Sequence, residues 1–196
     1  MEAREREKLV AAVGAEDAAA VERFLGGCAL CALVEAADAA DSDWPEWARA
    51  AAVLLQTDEY VAVPEGRLKR RTERVASDAF TSDAPARTEW IWYDRSDRAG
   101  ARSSRWTRLD EEQVAVRWAG LDRTPTRVIV KRRELWMLEN VRIHLDTVAG
   151  LGNYFELEGV VGIGDSPEET RLKVETLVEK FRPALGEPVS GSYAEL

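Results

Sequence analysis

Two adjoining segments decide how the chain is read: Val141-Arg142-Ile143-His144-Leu145-Asp146 and Leu151-Gly152-Asn153-Tyr154-Phe155-Glu156-Leu157-Glu158. In the first, Arg142, His144 and Asp146 fall on one face of an extended backbone, and Val141, Ile143 and Leu145 fall on the other. In the second, Glu156 and Glu158 share a face opposite Phe155 and Leu157. Gly150 and Gly152 supply the turn between them, so the pair reads as a β-hairpin with one apolar side and one charged side. Three carboxylates and a guanidinium within so few residues suit a hard cation and a polyanion better than plain solvent exposure.

Period-two patterning spreads outward from this hairpin. It predicts strands at 58–63, 67–74, 88–95, 104–109, 113–118, 126–132, 134–139, 141–147 and 154–161, with Pro64-Glu65-Gly66 as a hairpin turn. Upstream, residues 1–13 fit a strand, and 16–25 and 28–40 fit helices. Pro45 opens a third short helix through Leu55, giving a helical insert at about 28–55. Downstream, Ser166 and Pro167 start a helix whose apolar face is Leu172, Val174, Leu177, Val178 and Phe181. The tail around Val189–Tyr193 fits a short strand or a turn. Many antiparallel strands with helices at the ends predict an α+β fold, as a single domain over 1–196 with a curved or closed sheet.

Charge is unevenly spread. Residues 65–142 hold 18 Lys/Arg against 13 Asp/Glu, a net of +5, so the remainder of this −9 chain carries −14. An acidic protein with a basic middle is a poor nucleic-acid binder and a fair host for a small anion. No apolar run approaches the roughly 20 residues of a membrane span, and charges stand where a signal peptide is apolar, so no membrane partner and a cytoplasmic location are expected. Cys28 and Cys31 form a lone Cys-x-x-Cys. With no other Cys and one His in the chain they read as small apolar helix residues rather than a zinc site.

The strands carry basic residues where strands are usually apolar. Lys69 and Arg71 share a face, as do Lys131 and Arg133, while Arg142 sits on the first hairpin and Arg95 and Arg105 sit at strand ends. Each pair alone reads as a solvated face. Together, in a sheet that closes, they line a lumen whose two signs of charge require water, metal and an anionic ligand.

At six places in register the residues resemble the CYTH superfamily, the triphosphate tunnel metalloenzymes. They are Gln56–Tyr60 with Gly66–Arg71, Trp92–Asp97, Ser104–Thr107, Val130–Arg133, Arg142–Asp146 and Phe155–Glu158. The resemblance implies a closed eight-stranded antiparallel β tunnel with flanking helices. It implies a small-molecule triphosphate substrate gripped by Lys69, Arg71, Arg95, Arg105, Lys131, Arg133 and Arg142. Mg²⁺ or Mn²⁺ would be held by Glu5, Glu7, Asp146, Glu156 and Glu158, with Glu5, Glu7 and Lys8 as the catalytic N-terminal set. Lys8 arrives one residue early for the family's Glu-x-Glu-x-Lys: on a regular strand it faces away with Leu9 in its place, and a bulge between Glu7 and Lys8 would return it to the shared face.

Phosphoryl transfer needs charge neutralisation and in-line positioning above all, which clustered Arg/Lys and a hard cation supply. Hydrolysis of tripolyphosphate, thiamine triphosphate or a nucleoside triphosphate is the leading expectation. The alternatives are a class IV-type adenylate cyclase and a triphosphate-binding module without turnover. His144, the sole histidine, reads from its place in Arg-x-His-x-Asp as a structural residue or one behind the metal ligands rather than a catalytic base. A monomer and a homodimer are both compatible with the sequence.

Overall fold

The computed structural model describes residues 49–76, 84–98 and 100–196. They form seven strands: β1 (Arg49–Val61), β2 (Arg67–Val75), β3 (Arg87–Arg95), β4 (Ser104–Leu109), β5 (Arg127–Leu138), β6 (Val141–Val148) and β7 (Gly152–Gly159). All neighbours run antiparallel, in the order β4-β3-β2-β1-β5-β6-β7. Two meanders, β1–β4 and β5–β7, are thus joined along β1 and β5. The sheet curls into a half-barrel.

Alternation along each strand sorts side chains between the outer face and the trough. Two helices cover the outer face. α1 (Glu111–Arg117) closes Val61, Leu68, Trp90 and Val114 into one cluster, and α2 (Pro167–Phe181) sets Leu177 and Phe181 on Val141, Ile143 and Leu145. The rings of Phe155 and Phe181 lie 4.9 Å apart. The predicted apolar face of the first hairpin is therefore the face that packs. A third cluster, Tyr60, Tyr93, Ile129 and Val148, lies inside the trough, where Tyr154 and the C-terminal Tyr193 pack against it.

Several expectations change. Arg49–Leu55 is strand, not the end of a helix: β5 pairs along it from Arg49 and β2 joins on the other side at Leu54, and that pairing overrides the helical preference of an alanine-rich stretch. Residues 113–118, expected as a strand, belong largely to α1. Its cap is explicit, since Asp110 Oδ1 accepts from the Gln113 amide at 2.8 Å and Gln113 Oε1 accepts from the Asp110 amide at 2.9 Å. The strands expected at 126–132 and 134–139 are one strand, β5. The C-terminal stretch turns rather than extends, with the Glu195 amide donating to the Ser192 carbonyl at 2.9 Å. The expected first strand at 1–13, the helices at 16–25 and 28–40, and Cys28 and Cys31 lie outside the described residues. The expected closed eight-stranded tunnel thus appears, among the described residues, as seven strands of a half-barrel. Neither α1 nor α2 is long and apolar enough to cross a membrane.

The turn at Pro64-Glu65-Gly66 requires its glycine. Gly66 has φ +68°, and a Cβ there would stand 2.7 Å from the Tyr93 carbonyl and 2.8 Å from Trp92 Nε1, which donates to the Glu65 carbonyl. Gly66→Ala is expected to destabilise the fold by about 1–3 kcal/mol, read as a lower urea midpoint.

Candidate functional site

Register places charge in the trough by strand. Asp58 on β1 lies directly opposite Arg71 on β2, and Arg133 on β5 lies directly opposite Asp146 on β6. Each pair is forked. Arg71 Nε and Nη2 donate to the two Asp58 oxygens at 2.6 and 2.7 Å, and Lys69 Nζ reaches Asp58 Oδ2 at 2.9 Å. Arg133 Nε and Nη2 donate to the two Asp146 oxygens, each at 2.6 Å, and Lys131 Nζ reaches Asp146 Oδ2 at 3.1 Å. The same Lys-x-Arg/Asp unit thus occurs twice, on strands that alternate β2, β1, β5, β6. Asp58 and Asp146 are each 1% exposed. Four cations surround two carboxylates at the centre of the sheet, which leaves a surplus of positive charge facing the trough.

Beyond Asp146 the charges continue onto β7. Glu156 lies opposite His144 and accepts from His144 Nδ1 at 3.2 Å and from Arg133 Nη2 at 3.0 Å, with Arg95 Nη1 3.8 Å away. Glu158 lies opposite Arg142 and pairs with its Nη1 at 3.1 Å.

A model of the CYTH domain matches residues 33–193. The chain belongs to the CYTH family. No curated protein matches this CYTH chain significantly. Three solved structures are similar in fold. The PH1012 protein from Pyrococcus horikoshii OT3 shares 15% identity at a TM-score of 0.52, covering 85% of this chain and 93% of that one. The PH1819 protein from the same organism shares 20% at 0.53, covering 82% and 89%. A conserved hypothetical protein from Pyrococcus furiosus shares 19% at 0.50, covering 84% and 91%. At such identities the likeness concerns the fold alone.

Of the residues expected to grip phosphate in this CYTH trough, the structure brings together Lys69, Arg71, Lys131 and Arg133, with Arg95 and Arg142 beside Glu156 and Glu158. Arg105 does not join them. It is the immediate neighbour on β4 of the trough-facing Trp106, so it points to the outer face, where its side chain is 80% exposed and pairs with Asp94 at 2.6 Å. Asp58 carried no assigned role in the sequence reading. The signal for it was the facing pair Lys69 and Arg71, which needed a counter-charge on the adjoining strand.

Burial alone would raise the Asp146 carboxyl, but Arg133 and Lys131 outweigh it and hold the group at about 2. Asp58 is driven low in the same way, chiefly by Lys69 and Arg71. Both Asp146 oxygens accept from cations, and Oδ2 also accepts from the Tyr193 hydroxyl at 3.0 Å. Asp146, expected among the metal ligands, contacts Lys131, Arg133 and Tyr193 in this structure. Among the described residues no three His, Cys, Asp or Glu side chains converge to hold a metal. Glu156 and Glu158, half-buried and on one face of β7, are the pair that fits Mg²⁺ or Mn²⁺, since such an ion takes one or two carboxylates and completes its shell with water and phosphate oxygens. Glu5, Glu7 and Lys8 lie outside the described residues.

Burial pulls Lys69 down to about 7, against the opposing pull of Asp58. Facing it are Asp58, Arg71 and Lys131, with the Tyr60 and Tyr93 rings 5.6 and 5.7 Å away. Both phenols are pushed up by burial and stay neutral, and burial, then Arg133, holds His144 below its ordinary value. A bound dianion favours the ammonium, so above pH 7 binding must take up a proton. Affinity for sulfate, whose charge is fixed in this range, is expected to fall about tenfold per unit between pH 7.5 and 9. Calorimetric titration of wild type against Lys69→Met checks this, with the slope absent in the variant.

Proposed function

We propose that the trough binds a triphosphate and, with Mg²⁺ or Mn²⁺ at Glu156 and Glu158, hydrolyses it. The observation that carries this reading is the doubled Lys-x-Arg/Asp unit. Lys69, Arg71, Lys131 and Arg133 are pre-positioned by Asp58 and Asp146, so their geometry is fixed before any ligand arrives.

Arg71 keeps a guanidinium edge for forked contact with phosphate oxygens, Arg133, whose Nη2 is shared between Asp146 and Glu156, keeps Nη1, and Lys69 and Lys131 add point charges beside them. Arg95 and Arg142 neutralise charge nearer β7. When bound, the divalent ion would offset charge on the bridging and leaving oxygens. His144 orients Glu156 through Nδ1 and has little room for another role, being 4% exposed. A second reading, binding without turnover, draws on Lys8, which stands one residue early for the family's Glu-x-Glu-x-Lys.

The test measures phosphate and cyclic-nucleotide release from tripolyphosphate, thiamine triphosphate and ATP with Mg²⁺ or Mn²⁺. Phosphate release that disappears on removing metal supports hydrolysis, and cyclic AMP from ATP would move the reading to a cyclase. Saturable binding without product leaves the binding module. Neither binding nor release sinks the triphosphate reading.

A further inference from the structure

Arg102, in the loop between β3 and β4, reaches the trough beside Arg95. Both guanidinium groups converge on one backbone oxygen of the C-terminal segment: Arg95 Nη2 donates to the Gly191 carbonyl at 3.1 Å and Arg102 Nη2 at 3.5 Å. The other Arg102 contact is again a neutral carbonyl, that of Arg98. The Nε atoms of Arg95 and Arg102 are both sealed from solvent with no acceptor among the described residues.

Carboxylates that could balance them are engaged elsewhere. Both Asp97 oxygens accept from Arg67 Nη2 at 2.7 Å, and Glu195 also accepts from Arg67. Glu156 is 3.8 Å from Arg95 and is shared with Arg133 and His144. Burial, then the charge of Arg95, lowers the Arg102 pKa, as expected of a cation without a close counter-ion.

If these contacts served only to latch the tail, one guanidinium would suffice, and two sealed donors would not be left empty. Two forks meeting at one uncharged oxygen, each with a buried N–H to spare, match instead a tetrahedral anion with several acceptor oxygens. We propose that Arg95 and Arg102 form an anion position of their own, next to the Lys69–Arg71–Lys131–Arg133 cluster. It takes the terminal phosphoryl group of a tripolyphosphate chain, with the Gly191 carbonyl standing where one phosphate oxygen goes. This inference rests on the triphosphate reading of the trough and adds a requirement for chain length: a diphosphate seated on the central cluster ends before it reaches Arg102.

Calorimetric titration of the full-length protein in Mg²⁺ buffer with pyrophosphate and with tripolyphosphate tests the position. Arg102→Ala is expected to weaken tripolyphosphate at least tenfold and pyrophosphate less than twofold. Arg102→Lys, which keeps the charge and loses the fork, should fall between wild type and alanine for tripolyphosphate, and it replaces the alanine variant should that chain not fold. Equal losses for the two anions, or no loss, overturn the position while leaving the trough reading intact. A wild-type protein that binds neither anion overturns both.

Discussion

Asp58→Ala is expected to remove about 3–5 kcal/mol of folding stability, the scale seen when one partner of a buried ion pair is deleted. Asp58 is 1% exposed, and both of its oxygens are occupied, by Lys69 and by the fork of Arg71. Without it, two cations remain largely buried with no counter-charge beside them, and Lys131 adds a third positive charge within its field. The same change removes the carboxylate that competes with phosphate for those cations. Tripolyphosphate should therefore restore much of the loss, raising the urea midpoint of the variant far more than that of wild type. A loss under about 1 kcal/mol, below the net value of an ordinary hydrogen bond to a charged group, would count against the buried-pair account. Equal stabilisation of the two proteins by tripolyphosphate would count against the trough as an anion site.

The second large effect is expected in turnover. Glu156→Ala combined with Glu158→Ala should lower Mg²⁺-dependent phosphate release at least about a thousandfold, or about 4 kcal/mol at the transition state. Stability should fall less than in Asp58→Ala, because both carboxylates are only half-buried and Arg133 keeps its fork on Asp146. Metal-free binding of tripolyphosphate should hold or tighten, since Glu156 no longer draws Arg133 and Arg95 to itself. Turnover and metal-free affinity are thus expected to move apart, which unfolding of the variant would not produce. Phosphate release within tenfold of wild type would place the metal elsewhere.

The hairpin Val141–Glu158 was readable because its two faces differ in chemistry at every step, and the structure sets its apolar face on α2 and its charged face in the trough. The pairs Lys69/Arg71 and Lys131/Arg133 were readable for the same reason. Four things were not. The stretch Ala50–Leu55 prefers helix locally, and only pairing with β5, about 80 residues further along the chain, and with β2 from Leu54 makes it β1. α1 was missed because seven residues hold barely two turns of periodicity; its decisive mark was the capping pair Asp110 and Gln113. Arg105 was misassigned because one residue of phase decides the face of a short edge strand. Arg102 had no pattern to betray it, since a loop residue acquires its place from the carbonyl it meets 89 residues away.

The strand order also bears on how the chain folds. Within each meander every partner is a neighbour in sequence, so β1–β4 and β5–β7 can form early with short loop closures. The seam between β1 and β5 closes across the whole first meander, pairing residues such as Gln56 and Lys131. Asp58 and Lys131 come within range of each other only when that seam forms. The docking of the two halves is then expected to be the slow step. Until that step Lys131 and Arg133 have lost none of their water to the other half, so a polyanion that bridges the halves should speed refolding as well as stabilise the product.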